Sequence, residues 1–178
     1  GTRRDRAAAF YTMVVDGGGK TCQPKARLPD DSAFASGDDI VRRPDGSRTR
    51  LFGTTGSALV AADLVCAGQS GMNGVALDPD FASNRRVYVY MASNLSTSPR
   101  TNRVVRLQLD AGYTTASART DIVTDIAFKD VGNAVGGPGA HSGGRIRFGP
   151  DGFLYIGTGD NHNPILPQHP TLLGGKVL

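Results

Sequence analysis

The stretch Arg145-Ile146-Arg147-Phe148-Gly149-Pro150-Asp151-Gly152-Phe153-Leu154-Tyr155-Ile156-Gly157 decides the fold. Two short runs of strand-forming residues flank a Pro-Asp-Gly step. Proline presets φ for the first central turn position, and glycine accepts a left-handed conformation. The reading is strand, tight turn, strand. An earlier block repeats it: Gly74 to Asp78, then Pro79-Asp80-Phe81-Ala82-Ser83-Asn84, then Val87-Tyr88-Val89-Tyr90-Met91. The two Pro-Asp steps stand 150 − 79 = 71 residues apart. Ile40 to Arg43, Pro44-Asp45-Gly46 and Thr49 to Phe52 form a third, weaker copy. Downstream of the middle copy, the alternation of Arg103 to Leu109 supplies a third strand and Thr120 to Val123 a fourth.

Several short strands per repeat, returning with the same turn, predict an all-β propeller. A β-sandwich would give the strands without the recurring turn. The period exceeds the roughly 40–50 residues of compact blades, so long loops must be inserted. Residues 39–178 therefore read as propeller blades, and residues 1–38 as an irregular or first-blade segment. Within that segment Ala7 to Val15 fits a short helix or a strand, Asp16 to Lys20 a turn, and Gln23 to Gly37, with Pro24 and Pro29, a loop.

Composition agrees. Of 178 residues 24 are glycine, about 13% against an average near 7%, and 10 are proline. A bundle of long helices is excluded, because each interior glycine or proline costs a helix about 1–3 kcal/mol. Collagen is excluded because the glycines keep no three-residue period. The formal charge is +4, yet the basic residues are dispersed, so no nucleic-acid partner is expected. No apolar run reaches the roughly 18 residues of a membrane span. The polar start, Gly1 to Arg6, holds no apolar signal core, so a secretion signal is expected to be removed or absent. Cys22 and Cys66 form no CxxC pair. They are either one disulfide of an oxidising compartment or two buried thiols.

The candidate chemistry lies between the last two copies, in Val131 to Gly144 (VGNAVGGPGAHSGG). A loop this stripped of side chains lets a ligand approach its backbone, and His141 stands in it as a candidate acid or base. The plain alternative is a surface loop with an incidental histidine. Asp160 weighs against that. His141 lies just before the first strand of the hairpin and Asp160 just after the second, so the hairpin brings their side chains to one end. A carboxylate bonded to one imidazole nitrogen fixes the tautomer and raises the basicity of the other. A general base for an alcohol proton needs that arrangement. His162 and His169 suggest zinc, but Pro164, Pro167 and Pro170 break any regular ligand spacing. Asp78-Pro79-Asp80 suggests calcium and reads more simply as a structural turn. Gly17-Gly18-Gly19-Lys20-Thr21 lacks the spacing of a phosphate loop. Tyr88, Tyr90 and Tyr155 read as blade packing.

The run His141 to Asp160 (HSGGRIRFGPDGFLYIGTGD) resembles the signature of the soluble quinoprotein glucose/sorbosone dehydrogenases. Gly68 to Phe81 (GQSGMNGVALDPDF) resembles the family's other early motif, and Leu173 to Leu178 (LGGKVL) its Gly-Lys strand. The three cover roughly residues 68–178. The resemblance implies a six-bladed β-propeller, of which this chain would be an N-terminal portion of two to three blades. It implies pyrroloquinoline quinone and calcium as cofactors, an aldose sugar or related alcohol as substrate, and an external electron acceptor. His141 would take the hydroxyl proton while hydride passes to the quinone, and Asp160 would orient His141. Gln69 matches a glutamine that contacts sugar and cofactor, and Gln168 falls where relatives often carry a glutamine. The glucose enzyme has an aspartate immediately before this histidine. Ala140 stands there instead, which leans away from glucose toward a broader aldose or alcohol specificity. The family's quinone-clamping cations and calcium ligands would lie beyond Leu178, so the 178 residues alone are expected to be inactive. The resemblance points to a periplasmic or secreted protein. A non-catalytic propeller used for binding is the alternative reading.

Overall fold

The computed structural model describes residues 58–178 and, ahead of them, the backbone of five short strands. These five are β1 (Phe10–Tyr11), β2 (Ala26–Arg27), β3 (Ala33–Phe34), β4 (Ile40–Arg42) and β5 (Arg48–Arg50). The weakest repeat copy is a hairpin, with Ile40 opposite Arg50 and Arg42 opposite Arg48, and β1 pairs with β4 on its other side. The loop expected over Gln23 to Gly37 instead carries the antiparallel pair β2–β3, Ala26 opposite Phe34. Two residues per strand suffice for such a pair, too few for an alternating pattern to show. The readings placed on Asp16 to Lys20 and on Cys22 lie outside the described residues.

The main sheet is a four-stranded antiparallel meander in the order β6 (Met72–Leu77), β7 (Arg86–Ser93), β8 (Thr101–Leu109) and β9 (Ala116–Ala127). Beside it stands the hairpin of β10 (Gly143–Phe148) and β11 (Leu154–Thr158). Val177 bridges to Gly157, and Leu178 and Ile156 exchange backbone hydrogen bonds at 3.0 Å, so the chain returns beside β11. Helices α1 (Ala58–Ala61), α2 (Phe81–Asn84) and α3 (Ile165–Gln168) have four residues each. Among the described residues no helix is long and apolar enough to cross a membrane.

Alternation along β7 and β8 builds two cores. Val87, Val89 and Met91 with Val105, Leu107 and Leu109 face Val60 and Phe81 on one side of the sheet. Tyr90 and Val104, with Ile126, face Ile146 and Ile156 of the β10–β11 hairpin on the other. Burial on both faces explains the near-continuous apolar run of β7. The two sheets also meet where Tyr88 and Phe148 pack edge to face, centroids 5.1 Å apart. Strand β9, expected over Thr120 to Val123, runs to twelve residues. Register shifts opposite Val104 and Leu109 break the alternation that a sequence reading depends on.

The repeated turn is structural in both copies. Asp78 accepts hydrogen bonds from the Asp80 amide at 3.0 Å, Asn84 Nδ2 at 2.8 Å and the Tyr88 hydroxyl at 3.2 Å. Asp151 likewise accepts from the Phe153 amide and the Tyr155 hydroxyl, at 3.1 and 2.6 Å. The two tyrosines are 155 − 88 = 67 residues apart, four fewer than the Pro-Asp steps. The four residues of α2, inserted between turn and strand in the first copy, account for the difference.

Candidate active site

Hairpin β10–β11 delivers its two outer ends to one place, with Gly143 opposite Thr158 and a bulge before Arg145. The Asn161 amide donates to the His141 carbonyl at 3.2 Å. A Cβ on Gly159 would lie 1.6 Å from that carbonyl oxygen, so the ends close this tightly only because residue 159 is glycine. His141 Nδ1 then stands 2.9 Å from Asp160 Oδ1. The same oxygen accepts the His162 amide at 3.0 Å, a side chain bonding its own backbone two residues on. The hydrogen bond from His141 and, after it, that from the His162 amide hold the Asp160 carboxyl below its ordinary range. Both side chains reach solvent, at 47% and 41% exposure. With Nδ1 engaged, Nε2 is the imidazole nitrogen left for a substrate.

Three side chains from the neighbouring sheet unit fix the backbone of this histidine segment. Gln69 Oε1 accepts the His141 amide at 3.0 Å. Tyr90, buried, donates its hydroxyl to the Ser142 carbonyl at 2.6 Å, and burial pushes its phenol well above the usual range. Asn73 Nδ2 donates to the Gly143 carbonyl at 3.0 Å. The strands approach closely enough for this because a Cβ on Gly74 would meet the Gly144 oxygen at 1.9 Å.

The glycine-rich loop does something other than what its composition suggests. Gly139 admits the Ala67 carbonyl, 2.0 Å from a Cβ placed there, and Gly144 admits Asn73 at 2.3 Å. Gly136 admits the His162 ring at 2.7 Å, whereas Gly137 has nothing within 4 Å. Most of these glycines let other parts of the chain approach the loop, so the bare surface expected for a ligand is largely filled by the protein itself.

His162, read from the sequence only as a zinc candidate, belongs to the site. Its ring lies nearly parallel to that of His141, centroids 3.5 Å apart and planes 27° apart. Of the five non-glycine residues with left-handed φ among the described residues, three are here: His141 at +50°, Asn161 at +52° and His162 at +56°. Such backbone costs about 1–3 kcal/mol per residue and persists only where surrounding structure enforces it. Asn161 is buried with neither side-chain amide atom hydrogen-bonded. His169 instead lies beyond α3, its Nδ1 near the Thr171 hydroxyl at 3.3 Å. Among the described residues no group of three His, Cys, Asp or Glu side chains converges on a metal position.

An open groove of about 660 Å³ runs beside the dyad, lined by His141, Thr158, Asp160, Pro167, Lys176 and Val177 among others. Lys176 donates to the Leu166 and Pro167 carbonyls at 2.8 and 2.7 Å, so its charge closes the end of α3. Gln168 ends α3 exposed to solvent and is not among the groove-lining residues. Ala140 is buried, its methyl against Gly136. Cys66 is disulfide-bonded, and there is no free cysteine among the described residues.

Comparison with known proteins adds to this geometry. The family model described as Glucose / Sorbosone dehydrogenase matches residues 35–178. Aldose sugar dehydrogenase YliI of Escherichia coli (strain K12) is 30% identical over 118 residues, which are 65% of this chain and 29% of that protein. The PQQ-bound aldose sugar dehydrogenase of Streptomyces coelicolor is similar in structure, with a TM-score of 0.60 and 27% identity. The match covers 96% of this chain and 48% of that one. A glucose dehydrogenase-like oxidoreductase from Thermus thermophilus gives a TM-score of 0.63 and 31% identity, over 96% and 46% of the two chains. The chain thus spans less than half the length of these relatives.

Proposed function

Because the chain belongs to the glucose/sorbosone dehydrogenase family, we propose that it carries the proton-handling half of a quinone-dependent sugar dehydrogenase built as a six-bladed propeller. The observation that carries this reading is the His141–Asp160 pair at 2.9 Å, open to solvent on the wall of a groove.

His141 Nε2 takes the proton of a sugar hydroxyl. Asp160 keeps the proton of the imidazole on Nδ1, so that Nε2 presents its lone pair, and its negative charge stabilises the imidazolium that forms. Gln69 holds the His141 backbone through Oε1, and its Nε2, without a hydrogen-bond partner among the described residues, is left to donate to substrate or cofactor. Pyrroloquinoline quinone, when bound, supplies the acceptor for the hydride leaving the sugar carbon. The base and its carboxylate line the groove, and Gln69 stands behind them on the His141 amide. Lys176 is already engaged, so cations for the quinone's carboxylates, like calcium ligands, are not among the described residues of the site. With Ala140 in place of a carboxylate, the sugar's hydroxyls are read less strictly, favouring a broad aldose or alcohol range. The Cys66 disulfide supports a periplasmic or secreted location. An external acceptor would take up the electrons.

The test is H141Q in the full-length protein supplied with quinone and calcium. Sugar-dependent dye reduction should vanish while quinone binding, followed by its absorbance, persists. Wild-type turnover in H141Q would end the reading.

A further inference from the structure

His141 is restrained by Asp160 at one nitrogen, but a single hydrogen bond leaves the imidazole free to pivot about it. The structure supplies a second restraint. The His162 ring covers one face of His141, 3.5 Å away between centroids. Rotating His141 about its Cβ–Cγ bond would drive its edge into that ring. The stacked geometry therefore admits only in-plane orientations, the observed one and its 180° flip, and the Asp160 bond selects between them.

His162 is itself held from two sides. Its amide donates to Asp160 at 3.0 Å, and the Gly136 backbone presses on its ring edge, where a Cβ would lie 2.7 Å from Cδ2. Neither ring nitrogen of His162 has a hydrogen-bond partner among the described residues, so the ring's contact with the site is its flat face. Its φ of +56° is a conformation that glycine adopts without strain and histidine does not.

We propose that His162 is a positioning residue that acts through His141: its ring locks the plane of the base, and its amide anchors the carboxylate that sets the base's tautomer. This deepens, and rests on, the reading of His141 as the base. A flat ring of any kind should serve, since stacking rather than proton exchange carries the effect.

Two variants of the full-length protein separate the ring from everything else. H162G removes the ring, keeps the amide that bonds Asp160, and relaxes the backbone. H162F keeps a flat ring and discards the imidazole nitrogens. Long-range proton–nitrogen spectra of the histidine rings, recorded without quinone or sugar and assigned with H141Q and H169Q, report the His141 tautomer directly. Wild type and H162F should show one tautomer protonated on Nδ1, and H162G a mixture. In the loaded enzyme H162G should lower kcat about tenfold with KM unchanged, as expected for a misaligned catalytic group, and H162F should restore it to within about twofold. A single Nδ1-protonated tautomer in H162G, or an H162F protein that behaves as H162G does, overturns the proposal. The spectra need no turnover. Failure of the dehydrogenase reading, seen as activity in H141Q, would therefore leave the tautomer result standing as its own answer.

Discussion

Tyr90 and Ser142 are joined by a buried hydrogen bond of 2.6 Å that spans 52 residues of sequence. It runs from the second strand of the four-stranded sheet to the residue after His141. The larger sheet thereby fixes the height of the candidate base, together with Gln69 on one side and Asn73 on the other. Y90F keeps the ring and its burial in the core and removes only the donor. The Ser142 carbonyl would be left with the long contact from the Gly159 amide at 3.4 Å. A buried acceptor deprived of its main partner costs about 1–2 kcal/mol. Urea unfolding of Y90F should show that loss with an unchanged slope, and kcat should fall more than KM rises.

Asp160 sets an acid limit. Its carboxyl is held below the ordinary range by the hydrogen bond from His141 and then by the His162 amide. A carboxylate depressed by folding contributes stability above its unfolded value, near 3.9. That contribution is lost as pH falls through the folded value. D160N should therefore be less stable than wild type at pH 5, and the gap should close as pH falls below the unfolded carboxylate value. Asp110, pushed down to about 2, first by the backbone hydrogen bond from Thr115, also titrates below the ordinary carboxylate range, so D160N keeps part of the acid-side slope. For turnover, D160N should lower kcat by about 10²-fold or more, the scale of a positioned base. Unfolding curves at half-unit pH steps and steady-state kinetics check the two halves of this prediction.

What could be read in the sequence follows from what kind of contact was involved. The hairpin around Pro150-Asp151-Gly152 and the meeting of His141 with Asp160 were legible because strand period, turn chemistry and chain direction are local. The β2–β3 pair was missed because two-residue strands carry no period, and the full length of β9 because its register shifts erase one. His162 reads in the sequence only as a zinc candidate, since proline spacing speaks only to metal binding. One signal was available: a residue two places after an aspartate is where that aspartate's side chain bonds the backbone. Tyr90 looked like packing, which it also is, because a tyrosine's acceptor 52 residues away leaves no trace in a linear pattern. The glycines of the 131–144 loop read as a bare surface for a ligand, whereas most of them admit other parts of the chain, because composition cannot say which of the two a bare backbone faces.

Gly136 and Gly137 make a paired control for that correction. They are adjacent in one loop, yet a Cβ at Gly136 would meet the His162 ring at 2.7 Å and the Ala140 methyl at 2.9 Å, while one at Gly137 meets nothing within 4 Å. G136A should displace His162, lower kcat several-fold and cost about 1–3 kcal/mol as overpacking does. G137A should be neutral within about 0.5 kcal/mol, as surface substitutions are. Thermal unfolding and kinetics of the two single variants suffice, and equal behaviour would place the loop's contacts elsewhere.

Away from the site, one ion pair ties the segment after α1 to the outermost strand of the four-stranded sheet. Arg119 donates to Asp63 through Nη1 at 2.5 Å and Nη2 at 3.1 Å, and to the Leu59 carbonyl at 2.8 Å. Asp63 is only 4% exposed at its side chain and Arg119 12%, so removing one partner strands the other in a medium that penalises charge. R119M should cost about 3–5 kcal/mol, toward the lower figure because the Ser93 hydroxyl continues to donate to Asp63 at 2.5 Å. Replacing both partners, as D63L with R119M, removes the stranded Asp63 charge and leaves Asp121, which Arg119 also bonds at 2.7 Å, with Arg103 at 2.8 Å, so it should recover part of the loss. Urea midpoints of the single and double variants measure the coupling directly. Asp63, just past α1, and Arg119, on β9, are both outside the groove-lining residues, so kcat at a temperature where each variant is folded should match wild type. A single variant as stable as wild type would mean that solvent reaches Asp63 more freely than its burial indicates.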